Sequence, residues 1–306
     1  MPNVNVERAK QLVRASALAY ETSIHSSWKR IGDGKDSVIV RQDDFGVIVA
    51  FRGTVIPTEP DPMKAIDAWL DWWNDIDLVL KDVPYSAGKV HDGFRKSLEI
   101  LWDDLLVEVE SAAQGGRRVF FTGHSKGGAL ATLAARRFKG AGVVPAGVMT
   151  FGAPRVGDEK FARAYDVEVP NHWRFEHQDD IVPHFPPYPA FMEVLRAAAI
   201  LAQVSTVSEV VNILAGSNFS TSVPFGEISE WLAKQVTQPF GHYEHVGTLC
   251  FLNWNDKLDE DNSATLARDR EVHLIKAGTE LITDHFIDKR FRLDGKLGYV
   301  ETVNNI

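Results

Sequence analysis

Apolar and polar positions along this chain follow two rhythms. Short β-branched and apolar runs, Ser37–Arg41 and Val47–Phe51, flank the polar turn Gln42-Asp43-Asp44-Phe45-Gly46 and read as a β-hairpin. Helical stretches follow over Ala65–Leu80 and Arg95–Ala113. A third apolar run, Val119-Phe120-Phe121-Thr122, enters Gly123 and then a helix over Gly127–Lys139 rich in Ala and Leu. Arg136, Arg137 and Lys139 ahead of Gly140 supply the basic last turn and glycine stop of that helix. Gly147–Phe151 and His172–Glu176 read as buried strands, and Glu271–Lys276 is strand-like. Met1–Tyr20 sets Val13, Ala17 and Leu18 among Glu7, Arg8, Lys10 and Arg14, the pattern of an amphipathic helix. Strands alternating with helices predict a largely parallel sheet covered on both faces. With no internal repeat, low-complexity tract or long linker, the pattern predicts one α/β domain with insertions over 1–306.

Composition narrows the partners. The 306 residues carry 33 Lys+Arg against 42 Asp+Glu, so the net charge is 33 − 42 = −9. That balance, without a basic stripe, argues against nucleic acid. At 44% hydrophobic residues a chain this long can bury a core without staples. The single cysteine, Cys250, can form neither an intramolecular disulfide nor a thiolate zinc site with other cysteines. The opening residues do not follow the pattern of a cleaved signal peptide, and the most apolar stretch, Ala197–Ser208, is too short for a bilayer, which needs about 20 apolar residues. These features predict a soluble protein, cytoplasmic or exported by another route, and not an integral membrane protein. They leave the oligomeric state open.

The chemistry begins at Gly123-His124-Ser125-Lys126-Gly127, a G-x-S-x-G sequence. As a bare pattern it is weak, but here it directly follows an apolar strand and directly precedes a helix, the context of a nucleophile elbow. A serine on so sharp a turn holds strained backbone angles, and side chains two residues to either side would collide with the adjoining strand and helix. The competing reading is a glycine-rich strand-to-helix turn that merely packs closely.

A serine hydroxyl needs a base, and the base an orienting carboxylate, in the chain order Ser, Asp/Glu, His. The strand His172–Glu176 leads into Gln178-Asp179-Asp180-Ile181-Val182-Pro183-His184-Phe185-Pro186-Pro187, where either aspartate could serve or both could be solvated turn residues. Five histidines follow: His184, His242, His245, His273 and His285. His184 is too near the acid in sequence, and His273 alternates within the strand-like run; His245 and His285 remain.

From about Ala50 to about His285 the chain resembles the class 3, or fungal-type, lipases. The likeness rests on ordered blocks: Ala50-Phe51-Arg52-Gly53-Thr54; Asp71-Trp72 with Asp75; Val90-His91-Asp92-Gly93-Phe94; Gly123 to Gly128; Thr150 to Gly157; Asp180-Ile181-Val182-Pro183 with Pro186-Pro187; and His245-Val246-Gly247. The resemblance implies an α/β-hydrolase fold with helical insertions near the active site. It implies hydrolysis of triacylglycerols or related acyl esters, including at an oil–water interface, through a Ser-Asp-His triad and an acyl-enzyme, with no metal or organic cofactor.

Carried over by position, Ser125 matches the nucleophile and Asp180 the acid, with Asp179 the runner-up. Asp284-His285 occupies the place of the family's Asp-His-x-x-Tyr segment, which makes His285 the base, although Asp288 stands where a tyrosine is usual. His245 matches a block that reads as structural. An acyl-transfer oxyanion requires two backbone donors. Lys126 supplies the N–H after the nucleophile, and Thr54 resembles the family position that offers both N–H and hydroxyl. Lys126 itself departs from the usual leucine, and its ammonium is expected to find a local carboxylate rather than substrate.

Two segments bear on substrate choice. Residues 55–80, with Pro57, Pro60, Pro62, Trp69, Trp72 and Trp73, correspond to a lid-like insertion, unless the tryptophans simply fill core. Residues 188–240 form an apolar helical insertion, expected to pack against or cap the site rather than to make an oligomer contact. Within enzymes the alternatives are esterase or phospholipase A1-like activity on other acyl esters. Outside them stands a hydrolase-fold protein that binds acyl ligands or partners without turnover.

Overall fold

The computed structural model describes residues 4–54, 79–180, 182–186, 242–259, 270, 284–288 and 296–306. The insertions expected over 55–80 and 188–240 lie outside these residues except for 79–80, as do the strand-like 271–276 and its His273.

The chain opens with helix α1 (Val6–Leu18), capped by the Asn5 side chain, which accepts from the Arg8 N–H at 2.9 Å. Strands β1 (Lys29–Asp33), β2 (Asp36–Asp43) and β3 (Gly46–Phe51) form an antiparallel meander. Two short strands, β4 (Leu80–Asp82) and β5 (Lys89–His91), precede helix α2 (Asp92–Ala112). Then come β6 (Val119–His124), helix α3 (Lys126–Gly140), β7 (Pro145–Phe151), β8 (Gly157–Asp158), helix α4 (Glu159–Glu168) and β9 (His172–His177). Beyond a 3-10 turn at Val182–His184 lie β10 (Tyr243–Glu244), β11 (Thr248–Leu252), β12 (Leu258–Asp259) and helix α5 (Tyr299–Asn305).

Eight strands form the main sheet in the order β1-β2-β3-β6-β7-β9-β11-β12. The neighbours from β3 through β11 pair in parallel, and the outer strands are antiparallel. That is the α/β-hydrolase arrangement, with chain crossovers feeding the C-terminal ends of β6 and β9 into one rim. A second, antiparallel sheet runs β10-β8-β5-β4.

Pleating explains the two cores. Val38, Val40, Val47, Val49, Phe51, Val119, Phe121 and Val148 point to one side, against α2, α3 and α4; Ile39, Ile48, Ala50, Phe120, Met149 and Phe175 point to the other, against α1 and α5. Both faces are apolar, so the strands read as continuous hydrophobic runs.

The expected hairpin is β2–β3, and the expected helices over Arg95–Ala113 and Gly127–Lys139 are α2 and α3 to within a few residues. One expectation is corrected. Leu80 does not close a helix but opens β4, where it pairs with His91. A strand of three residues is too short to show the period of two that would reveal it.

Candidate active site

Ser125 links β6 to α3 with φ 57° and ψ −132°, a left-handed conformation costly for a residue with a Cβ. The flanking glycines are dictated by space. A Cβ on Gly123 would stand 2.2 Å from the Gly127 carbonyl, and one on Gly127 2.3 Å from Phe51 O of β3. The motif therefore exists because strand and helix pass within touching distance at this turn.

The Ser125 N–H donates to Phe151 O at 2.9 Å, joining the elbow to the end of β7. The next residue, Gly152, is where an added Cβ would lie 2.7 Å from Asp180 Oδ2 and 3.0 Å from His285 Nδ1. Asp180 and His285 face each other directly, with His285 Nδ1 2.9 Å from Oδ2 and 3.0 Å from Oδ1; both residues are buried. A carboxylate can only accept, so Nδ1 carries the proton and Nε2 is the nitrogen free to take another.

Asp180 has two further donors. The Val182 N–H reaches Oδ1 at 2.9 Å and the Tyr299 hydroxyl reaches Oδ2 at 2.6 Å. Burial and the Asp180 charge hold the Tyr299 phenol well above its ordinary range, so it remains a donor. Tyr299 comes from α5, whose first residues run beside the His285 segment: the Tyr299 and Val300 N–H groups donate to Phe286 O at 3.3 Å and Ile287 O at 2.9 Å. Where a tyrosine is usual at position 288 the chain has a buried Asp288, and the tyrosine hydroxyl that reaches Asp180 comes from position 299.

The His285 segment is held by its backbone as well. His177 Nδ1 lies 3.0 Å from Asp284 O and His124 Nε2 2.7 Å from His285 O. His124 stacks on His285 with ring centroids 4.5 Å apart, and its Nδ1 lies 2.8 Å from the Tyr20 hydroxyl. Burial, then the neighbouring His285, push His124 well below the ordinary imidazole range, so it is neutral.

The other sequence candidates lie elsewhere. The Asp179 carboxylate accepts from Trp254 Nε1 at 3.1 Å, not from His285. His245 Nε2 donates to Pro183 O at 2.6 Å and lies 3.7 Å from Glu176; burial first and Arg174 second push it well below its usual range. His184 sits 3.3 Å from Arg270, and His242 is exposed.

For the oxyanion, the Lys126 N–H is the first amide of α3, among those with no acceptor inside the helix. Thr54 is half-buried in the segment leaving β3, and Gly53 beside it is packed so close to the elbow that a Cβ there would stand 2.6 Å from His124 O. The Lys126 ammonium points away from this chemistry. It is buried against Asp36 Oδ1 at 2.6 Å, with Lys35 O at 3.5 Å. A cation in the first turn opposes the helix dipole, and the Asp36 carboxylate offsets it.

Among the described residues no group of three or more His, Cys, Asp or Glu could hold a metal ion, and no helix is long and apolar enough to cross a membrane. Tyr20, Tyr299 and the second role of His124 had no signal in spacing. Only the place of His124 inside the elbow motif could have drawn attention to it.

Residues 48–189 match the family described as Lipase (class 3). Ser125 and Asp180 fall inside the matched segment and His285 beyond it. A Caenorhabditis elegans lipase is 35% identical over 143 residues, 46% of this chain and 38% of its own. The secreted mono- and diacylglycerol lipase A of Penicillium cyclopium is 29% identical over 159 residues, 51% of this chain and 48% of its own. Among solved structures, the Rhizomucor miehei lipase propeptide complex aligns at 27% identity and a TM-score of 0.47, covering 60% of this chain and 64% of that one. The chain spans about half or less of the length of the curated relatives it matches.

Proposed function

We propose that this chain, whose residues 48–189 match the class 3 lipase family, is a member of it and hydrolyses carboxylic esters of lipid type through an acyl-enzyme. Ser125 attacks the ester carbonyl while His285 Nε2 takes its proton. Asp180 holds the imidazole in the required tautomer and stabilises the imidazolium. The Lys126 N–H with the N–H and hydroxyl of Thr54 receive the oxyanion, the alcohol leaves with the proton from His285, and water repeats the sequence on the acyl-serine.

The observation that carries this reading is a strained serine, φ 57° at a helix start, whose N–H meets Phe151 O one residue before Gly152, the position that abuts a buried His285–Asp180 pair 2.9 Å apart. No role in packing requires that strain. Substrates of the mono-, di- and triacylglycerol kind suit the family. The protein is expected in the soluble fraction of cells, which fractionation checks.

The test joins labelling to turnover. A fluorophosphonate probe should label Ser125 in folded protein, and Ser125→Ala should lose both labelling and ester hydrolysis, by about 10⁶-fold in kcat, at an unchanged melting temperature. A folded protein that neither labels nor hydrolyses would overturn the reading in favour of ligand binding without turnover. Rates against acyl chain length, with and without an oil–water interface and with phospholipid as competitor, then separate lipase from esterase and phospholipase A1-like activity.

A further inference from the structure

His124 takes no part in the ester-hydrolysis scheme, yet both its ring nitrogens are committed. A carbonyl can only accept, so the 2.7 Å contact with His285 O puts the proton on Nε2. Nδ1 is then an acceptor, and the hydroxyl 2.8 Å away on Tyr20 is its donor. The opposite tautomer would turn a lone pair toward the His285 carbonyl and leave two donors facing each other at Nδ1 unless Tyr20 turned away. The His285 carbonyl therefore selects one of the two neutral forms, and the Tyr20 hydroxyl, donating to Nδ1, holds that form in place.

The same group meets the site on two more sides. The His124 ring faces that of His285 at 4.5 Å and 29°, with Tyr299 edge-on at 5.6 Å. A neutral ring there supports the imidazolium that forms during turnover, whereas a charged one would oppose it. The Tyr20 hydroxyl also lies 2.0 Å from where a Cβ on Gly53 would be, so it abuts the segment that bears Thr54.

We propose that Tyr20 and His124 form a positioning unit that fixes the backbone and ring of His285 relative to Ser125 and ties that placement to the Arg52-Gly53-Thr54 segment. The unit rests on the triad reading above. In it the second residue of the elbow motif serves as the underside of the base. Helix α1, which leads into Tyr20, thereby enters the machinery without touching substrate.

Tyr20→Phe, His124→Phe and His124→Gln test this against Ser125→Ala as the control. Tyr20→Phe and His124→Phe should each lower kcat about five- to tenfold, the size of one hydrogen bond, with KM changed less than about twofold. Both should move the acid limb of the kcat/KM profile and displace the low-field proton resonance of His285 Nδ1–H. His124→Gln, whose amide holds both a donor and an acceptor, should retain more of kcat than His124→Phe, which keeps the ring alone.

Unchanged kcat, acid limb and resonance in Tyr20→Phe would overturn the proposal. So would a fall in activity that tracks a lowered melting temperature while limb and resonance stay put. Where His124→Phe does not fold, Tyr20→Phe decides alone, since it removes one oxygen from an intact ring. Activity surviving in Ser125→Ala would instead overturn the triad reading, whatever the Tyr20 result.

Discussion

The two faces of the main sheet are built to different rules. Under α2, α3 and α4 the core is dominated by aliphatic and aromatic side chains, with Phe138 wedged between Trp102 and Phe121 at centroid distances of 4.8 and 5.3 Å, and a buried bond such as Thr150 to His172 at 3.1 Å is set into a broad apolar layer. Under α1 and α5 the apolar layer is threaded by buried hydrogen bonds: Ser16 to Thr122 at 2.9 Å, Tyr20 to His124 at 2.8 Å, Thr302 to His177 at 3.3 Å and Tyr299 to Asp180 at 2.6 Å. Apolar contact is non-directional and tolerates small displacements, whereas hydrogen bonds fix angles. The first face thus holds the sheet together, and the second orients what stands at its rim.

Phe138→Ala should cost about 3–5 kcal/mol of unfolding free energy in denaturant, with activity per titrated active site within about twofold of the parent. A parallel loss per site would mean that the apolar face also orients. Lys126 and Asp36 lie at the join, with side chains 7% and 11% exposed. Lys126→Leu alone should cost about 3 kcal/mol by stranding a buried carboxylate, and adding Asp36→Leu should recover most of it. The preference between neutral and anionic esters should stay the same in both variants.

His91, the N-cap of α2, accepts from the Phe94 N–H through Nδ1 at 3.2 Å, and burial pushes it from 6.5 down to about 4. Because the folded state binds the proton less readily than the unfolded one, its contribution is complete above about pH 6.5. It is lost as pH falls toward 4, by at most about 3 kcal/mol. Melting temperatures followed from pH 7 to 4 should flatten partly in His91→Asn, which keeps a capping acceptor. His172, lowered by burial and Arg174 to about 3, sustains the remaining slope together with His124, His184 and His245, which burial also pushes well below their usual range. Smallest is Tyr299→Phe, about 2 kcal/mol for one bond to a charged acceptor, read as roughly 30-fold lower kcat with little change in KM. Full activity in that variant would show that the polar face does not orient the acid.

What could be read from the sequence follows the same division. Strands β2, β3, β6 and β7 announce themselves because both their faces are apolar, and α2 and α3 because their stripes are long. The elbow glycines are legible because steric exclusion at Gly123 and Gly127 is local. The choice between Asp179 and Asp180 is not, since it depends on a turn at Gln178 with φ 40° that rotates one carboxylate toward Trp254 and the other toward His285. Tyr299 escapes for another reason. Its link to Asp180 arises from two backbone segments lying side by side, a relation that no periodicity records. The small sheet, with strands of two or three residues, is invisible on the same ground.

Helix α5 has seven residues, too few to persist in water by its own hydrogen bonds. It is kept by a backbone–side-chain cap between Gly298 and Glu301 at 3.1 Å and by docking on α1, where Arg14 Nη2 meets Asn304 Oδ1 at 2.8 Å. Its opening would withdraw the Asp180 donor while leaving the sheet intact. On heating, any ester hydrolysis should therefore weaken before the chain melts, and the gap between the two temperatures reports how readily that one local opening occurs.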